Sequence, residues 1–282
     1  MQNILACIDA SRYAAPVCDL AAWVARKWEL PVELLHVVQR KDAVAERHDL
    51  SGAIGLGVKS RLLEELTQLD EAEARLQVER GRVLLAAGEE RLRKAGTAEV
   101  KILHRHGGIV ETILEREAQA RVVVIGKRGA SHEFAKDHIG SKIERVVRAS
   151  NRPILIAPLE ATAPRAAVLA YDGSSAARHA LERCANSPLI KDLPVHLVIA
   201  GAADENHARL ADEVREQLHG RALTITHKPG VAAEIIAAAV AQTPDAVLVM
   251  GAYGHSPLRT LIVGSTTTAV IRLVNAPVLL VR

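Results

Sequence analysis

Toward the end of the chain, Gly251-Ala-Tyr-Gly254 is followed nine residues later by Gly264-Ser265-Thr266-Thr267. Glycines where a strand ends and a helix begins let the backbone approach a ligand with no Cβ in the way. The free N–H groups of that first helical turn, joined by the hydroxyls of Ser265 and Thr266, would hold an anion. The chemistry is phosphate binding at one defined place. Turn glycines are also needed by any α/β fold, so the same residues carry a purely structural reading as well.

The flanking segments are of the kind that would position such a cradle. Ala246-Val-Leu-Val-Met250 reads as a buried strand running into the glycines, and Thr268–Val274 has helical spacing. The same grammar occurs twice. Ile4-Leu-Ala-Cys-Ile-Asp9 is echoed by Val168-Leu-Ala-Tyr-Asp172, and Val122-Val-Val-Ile-Gly126-Lys-Arg-Gly129 by Val247-Leu-Val-Met-Gly251-Ala-Tyr-Gly254. Ile139-Gly140-Ser141 matches Val263-Gly264-Ser265, and Asn151-Arg-Pro-Ile-Leu-Ile156 matches Asn275-Ala-Pro-Val-Leu-Leu280. Four landmarks in one order mark an internal duplication. Residues 1–158 form one expected domain and 165–282 the other, joined by a proline-marked linker around Pro158–Pro164.

In the second half, strands are expected at 166–171, 195–200, 222–227, 246–250 and 278–281, and helices at 174–185, 205–218, 231–241 and 265–274. Strand–helix alternation with short loops means right-handed crossovers and a mainly parallel sheet covered on both faces. The fold class is therefore α/β, as two tandem open-sheet domains. The stretch from Asp9 to Gly126 is 38 residues longer than that from Asp172 to Gly251. The extra length belongs to a helical insertion around 41–95, with 59–95 fitting a long amphipathic helix. Ser51–Gly57, rich in small residues, reads either as part of that cover or as a mobile flap over a pocket.

Composition narrows the function. At 282 residues the chain has room for two cores, and with one Phe, two Trp and three Tyr those cores must be aliphatic. Scarce aromatics and a formal charge of only +3 argue against nucleic acid as a partner. No apolar run is long enough to span a membrane. Cys7, Cys18 and Cys184 form no Cys-x-x-Cys and no even framework. A reducing compartment and a cytoplasmic location are expected, since the first residues run straight into a strand without a secretion signal.

The strand-ending Asp, the Gly-x-x-Gly, the nine-residue spacer, the Gly-Ser and the closing Asn-x-Pro-Val-Leu-Leu-Val resemble the universal stress protein family. The duplication is similar to its tandem-domain members, and the insertion to those with an elongated N-terminal unit. The resemblance implies five mainly parallel strands per domain. Some members bind ATP or AMP, and others lack the motif and do not. Carried over, it implies that Asp172 sits beside the adenosine, that Val198 touches the base, and that Met250, Gly251 and Gly254 lie against ribose and phosphate. Gly264, Ser265 and Thr266 would hold the phosphates, and Mg²⁺ can accompany ATP without a dedicated carboxylate. It also implies that the two domains pair through their last strands, Pro153–Ala157 and Pro277–Val281, as an internal pseudo-dimer. A homodimer of the whole chain stays open.

The first half departs from the pattern. Gly129 and Gly140 are separated by ten residues, among them Glu133, Lys136 and Asp137. Whether Gly126, Gly129, Gly140 and Ser141 bind anything is open, although Lys127 and Arg128 suit an anion by charge. His104 and His106 share a strand face and could, with His36 or His138, hold zinc or copper, but two histidines alone make no site. His255 and Arg259 could meet a phosphate or simply occupy a surface loop. Ser174 and Ser175 read as the N-cap and first turn of a helix. No nucleophile elbow, Walker motif or paired catalytic carboxylates emerge, so slow ATP hydrolysis is the most chemistry expected.

The leading expectation is a stress-response or signalling protein that binds ATP or a related adenine nucleotide in its second half. It would regulate through conformation or partner choice. The alternatives are a nucleotide-free scaffold or carrier for a lipid, metal or protein, and a nucleotidyl-transfer enzyme.

Overall fold

The computed structural model describes residues 2–38, 56–130, 140–202, 204–252 and 265–282, the side chains of 56–63 and 265 excepted. In the first half the strands are β1 (Asn3–Cys7), β2 (Val32–Val38), β3 (Val100–His106), β4 (Ala120–Gly126) and β5 (Ile154–Ala157). In the second they are β6 (Ala166–Ala170), β7 (Val195–Ala200), β8 (Leu223–Lys228), β9 (Ala246–Gly251) and β10 (Val278–Val281). Among the described residues these make one sheet in the order β3-β2-β1-β4-β5-β10-β9-β6-β7-β8.

Neighbouring strands within each half are parallel. The halves meet where β10 runs antiparallel to β5, with Leu279 opposite Leu155. The final strands therefore pair with each other, and the chain is its own pseudo-dimer. An unpaired final strand would leave a row of backbone groups open to a stranger, and this pairing satisfies them.

The central strands read as unbroken apolar runs because both faces are covered. Val122, Val123 and Val124 are fully buried, as are Val247, Leu248 and Val249. Each such side chain contributes roughly 1.5–3 kcal/mol relative to exposure. One face is covered by α1 (Ala14–Trp28), α2 (Leu56–Lys94), α5 (Ser175–Asn186) and α6 (Glu205–Gln217). On the other lie α3 (Ile109–Arg116), α4 (Ser141–Ala149), α7 (Ala232–Gln242) and α8 (Ser265–Leu273). Among the described residues no helix is long and apolar enough to cross a membrane.

Among the described residues, the extra length of the first half is one helix. α2 occupies the connection between β2 and β3, where the second half has the 13-residue α6. Five of the seven residues of the expected flap, 51–55, lie outside the described residues; 56 and 57 already belong to α2.

Candidate functional site

In each half the strand order reverses beside the first strand, between β1 and β4 and between β6 and β9. Loops leaving those strands diverge to opposite faces and open a crevice at the strands' C-terminal ends, where open α/β sheets take their ligands. The second-half crevice contains several of the expected residues. Ala170 on β6 stands in register with Val198 on β7 and with Met250 on β9. All three are buried and belong to the core beneath α7 and α8. They make an apolar row across three strands.

Asp172 follows two residues after Ala170. It is exposed, and its carboxylate accepts the Ser174 N–H at 3.0 Å. Ser174 caps α5 in turn, its hydroxyl accepting the Ala177 N–H at 3.2 Å. Between them Gly173 holds φ at +73°, a conformation that penalises any side chain. The turn thus uses one oxygen of Asp172 and presents the side chain to solvent at the crevice.

Gly251 ends β9, and here the structure supplies a reason that the sequence did not suggest. A Cβ at Gly251 would overlap the backbone of Ala176 and Ala177. The N-terminal turn of α5 rests directly on the strand end. This is close helix–strand packing, one of the uses of glycine in nucleotide-binding α/β folds and equally a use without any nucleotide. Beyond Ala252, Gly254 and Gly264 lie outside the described residues, as do His255 and Arg259. α8 starts at Ser265, with Thr266 exposed and Thr267 buried in the first turn. A helix start there places N–H donors and the positive end of the helix dipole after the β9 loop.

In the first-half crevice the start of the glycine loop is described. Asp9 accepts the Ser11 N–H at 3.1 Å, as Asp172 accepts Ser174, but its second oxygen accepts the Ala130 N–H at 2.8 Å. A Cβ at Gly129 would come within 2.8 Å of that oxygen. The carboxylate and the glycine loop are tied to each other across the place where a ligand would enter. At the strand end, a Cβ on Gly126 would meet the Tyr13 side chain at 2.6 Å. Gly140 stands as the N-cap of α4, and Ser141 opens that helix.

Lys127 corrects an expectation. Its charge suits an anion, yet the side chain is buried and its ammonium donates to the carbonyls of Arg272 and Val274, both at 2.9 Å. Those carbonyls end α8 in the other half. Burial, with Arg128 beside it, lowers the pKa of Lys127 to about 8. A reciprocal contact comes from Arg282, whose guanidinium donates to the carbonyls of Val147 and Arg148 at the end of α4. Neither cap has a local sequence signal, because each joins residues more than 130 positions apart.

The histidines pack together without forming a ligand set. His36 uses Nδ1 on the Ile8 carbonyl at 2.9 Å, and its ring lies 5.4 Å from that of His104, which is 6.0 Å from His106. Burial, then His36, His106 and Arg82, hold the His104 pKa below the ordinary histidine value. His138 lies outside the described residues, and among those described no group of three or more candidate ligands is arranged for a metal ion.

Fold and crevice define the class: a tandem, doubly wound α/β protein. A model of the Universal stress protein family matches residues 1–158 and 198–282, and the chain belongs to that family. Universal stress protein Slr1230 of Synechocystis sp. (strain ATCC 27184 / PCC 6803 / Kazusa) is 33% identical over 288 residues, covering 100% of both chains. A universal stress protein from Archaeoglobus fulgidus DSM 4304 has the same fold, with a TM-score of 0.71 at 20% identity over 99% of this chain and 98% of its own. A putative universal stress protein from Pseudomonas aeruginosa UCBPP-PA14 matches with a TM-score of 0.61 at 15% identity, over 100% of this chain and 93% of its own.

Proposed function

We propose that this universal stress protein binds ATP or a related adenine nucleotide in its second-half crevice and changes conformation or partner choice with occupancy. The observation that carries this reading is the row Ala170–Val198–Met250, flanked by an exposed Asp172 and followed by a helix that starts at Ser265. An apolar floor suits a base, an exposed carboxylate suits ribose hydroxyls, and a helix N-terminus suits phosphate. In this reading Gly251 and Gly254 admit the ligand, while Gly264, Ser265 and Thr266 hold its phosphates. Mg²⁺ would arrive with ATP. In this reading the second-half crevice is the main site, and the Asp9–Ala130 bond in the first half competes with a ligand for that carboxylate.

The nucleotide-free scaffold draws on one observation: Gly251 is explained by α5 alone. A cytoplasmic setting accords with the free cysteines, of which Cys18 and Cys184 are buried with thiol pKa values pushed by burial to about 12. Such thiols are inert.

The test is mass spectrometry of small molecules released from the purified, gently denatured protein, beside a Gly264→Asp variant. The variant sets a carboxylate where phosphates are to bind and should lose retained nucleotide while keeping its fold. An empty wild type that also ignores added ATP would hand the function to the scaffold reading.

A further inference from the structure

α2 lies on β2 and β3 where their histidines stand side by side. His36 on β2 is in register with His104 on β3, and His106 follows on the same face of the strand. The three rings form a row, with centroids 5.4 Å apart from His36 to His104 and 6.0 Å apart from His104 to His106. Gly81 of α2 rests on the first two. A Cβ there would come within 2.4 Å of His104 Nε2 and 2.8 Å of His36 Cδ2. The helix backbone itself covers the rings and leaves no room for water between.

His104 Nε2 is buried and has no hydrogen-bond partner among the described residues. A neutral imidazole carries one N–H and one lone pair. The proton is assigned to Nδ1, because on Nε2 it would be a buried donor without an acceptor. Protonation of the ring adds that donor anyway, together with a charge that water cannot solvate.

No carboxylate offsets the charge. Among the described residues, the groups that act on His104 are His36 from β2, His106 from its own strand and Arg82 from α2, each a cation or a potential one. β1 offers the Ile8 carbonyl, which His36 Nδ1 occupies at 2.9 Å. Glu79 on α2 is exposed and tied to Arg82 at 2.6 Å. The carboxylate that α1 lends to α2, Asp19, is tied to Arg91 further along the helix.

The C-terminal turns of α2 have a hold of their own. Leu85, Gly88 and Leu92 are buried, and Arg91 donates to both oxygens of Asp19 at 2.6 and 2.7 Å. On the other side of Gly81, residues 64–77 are all exposed. Gly81 is thus the first buried residue along α2 whose surroundings are described, and its turn can lift while the later turns stay docked.

We propose that the His36–His104–His106 row is an acid-sensitive latch: with His104 neutral it holds the Gly81 turn of α2 on β2 and β3, and protonation of His104 lifts that turn away. The docked ring takes up a proton less readily than the lifted one, which water can solvate. Docking is therefore at full strength above the ordinary histidine value of about 6.5. Below it docking weakens, by at most about tenfold per pH unit for one proton. The latch lies apart from the second-half crevice, so it stands or falls independently of nucleotide binding.

Hydrogen–deuterium exchange of the full chain at pH 7.5 and 5.0, corrected for the intrinsic exchange rate at each pH, is the experiment. Amides of residues 79–86 are expected to lose protection by at least about fivefold at the lower pH, while those of 88–94, β4 and β9 keep theirs. His104→Gln and His104→Leu have no titrating ring at this place, so each should hold the turn equally at both pH values. The ring protons of His104, followed by NMR in the wild type, should titrate at the midpoint of the protection loss. Wild-type protection indifferent to pH overturns the latch. So does a loss spread evenly over the sheet, which is acid unfolding, or one that persists unchanged in a folded His104 variant. Should neither variant fold, the wild type decides alone, and a His104 midpoint apart from that of the protection loss overturns the proposal.

Discussion

Gly251 and Gly126 occupy matching strand ends, yet what bars a side chain differs. At Gly126 one atom, the Tyr13 Cβ at 2.6 Å, stands closer than 3.0 Å; at Gly251 three backbone atoms of Ala176 and Ala177 stand at 2.3–2.6 Å, and they can move only with α5. Gly251→Ala is therefore expected to cost about 1–3 kcal/mol, the range for overpacking a well-filled site. Gly126→Ala should cost less. Urea midpoints of the two variants would decide, and equal losses would mean that α5 is not held against β9 as described. Asp9 and Asp172 give the same lesson about side chains of one type at matching positions. Both cap the turn after a first strand; Asp9 also spends its second oxygen on the glycine loop, while the residue matching Ala130, His255, lies outside the described residues.

At the level of elements, the helices that begin in the crevices end under the other half. α8 is capped at its C-terminus by Lys127, and α4 by Arg282. Cations at helix C-termini satisfy carbonyls that the helix leaves unpaired. Lys127→Met removes both donors from a buried place and should cost about 1–3 kcal/mol near neutral pH. The cost should also depend on pH. Lys127 titrates near 8 in the folded protein against 10.5 as its ordinary value. Between those values the unfolded chain holds more protons, so this group makes stability rise with pH in that window. Between pH 7.5 and 9.5 wild type should gain stability relative to Lys127→Met. Parallel urea-midpoint curves would show that Lys127 is not desolvated at the helix end.

Across the whole molecule, β5 and β10 join the halves into one sheet, and the two caps cross the same boundary in opposite directions. Unfolding one half would strip the other of a strand partner and a helix cap. A single cooperative transition is expected, with Trp fluorescence and far-UV circular dichroism superimposing. The two tryptophans, Trp23 and Trp28, both lie on α1 in the first half, so the fluorescence reports on that half alone. An earlier fluorescence midpoint would mean that the halves unfold separately.

The duplication, the alternation of strand and helix, and the placing of α2 between β2 and β3 were all legible in the chain itself. They rest on periodicities a few residues long and on turn glycines, which act within a helical turn or a strand. Val198 and Met250 were singled out only through the family resemblance, since both are plain core residues to any local pattern. Three-dimensional packing decided the rest. It determined that Asp9 spends its second oxygen on the Ala130 N–H and that Lys127 serves a helix end instead of an anion. It also laid Gly81 of α2 on the ring of His104, leaving Nε2 without a partner among the described residues. Each of these depends on which atoms meet across the fold, and a hydrogen bond between residues 147 positions apart leaves no mark on the pattern around either one.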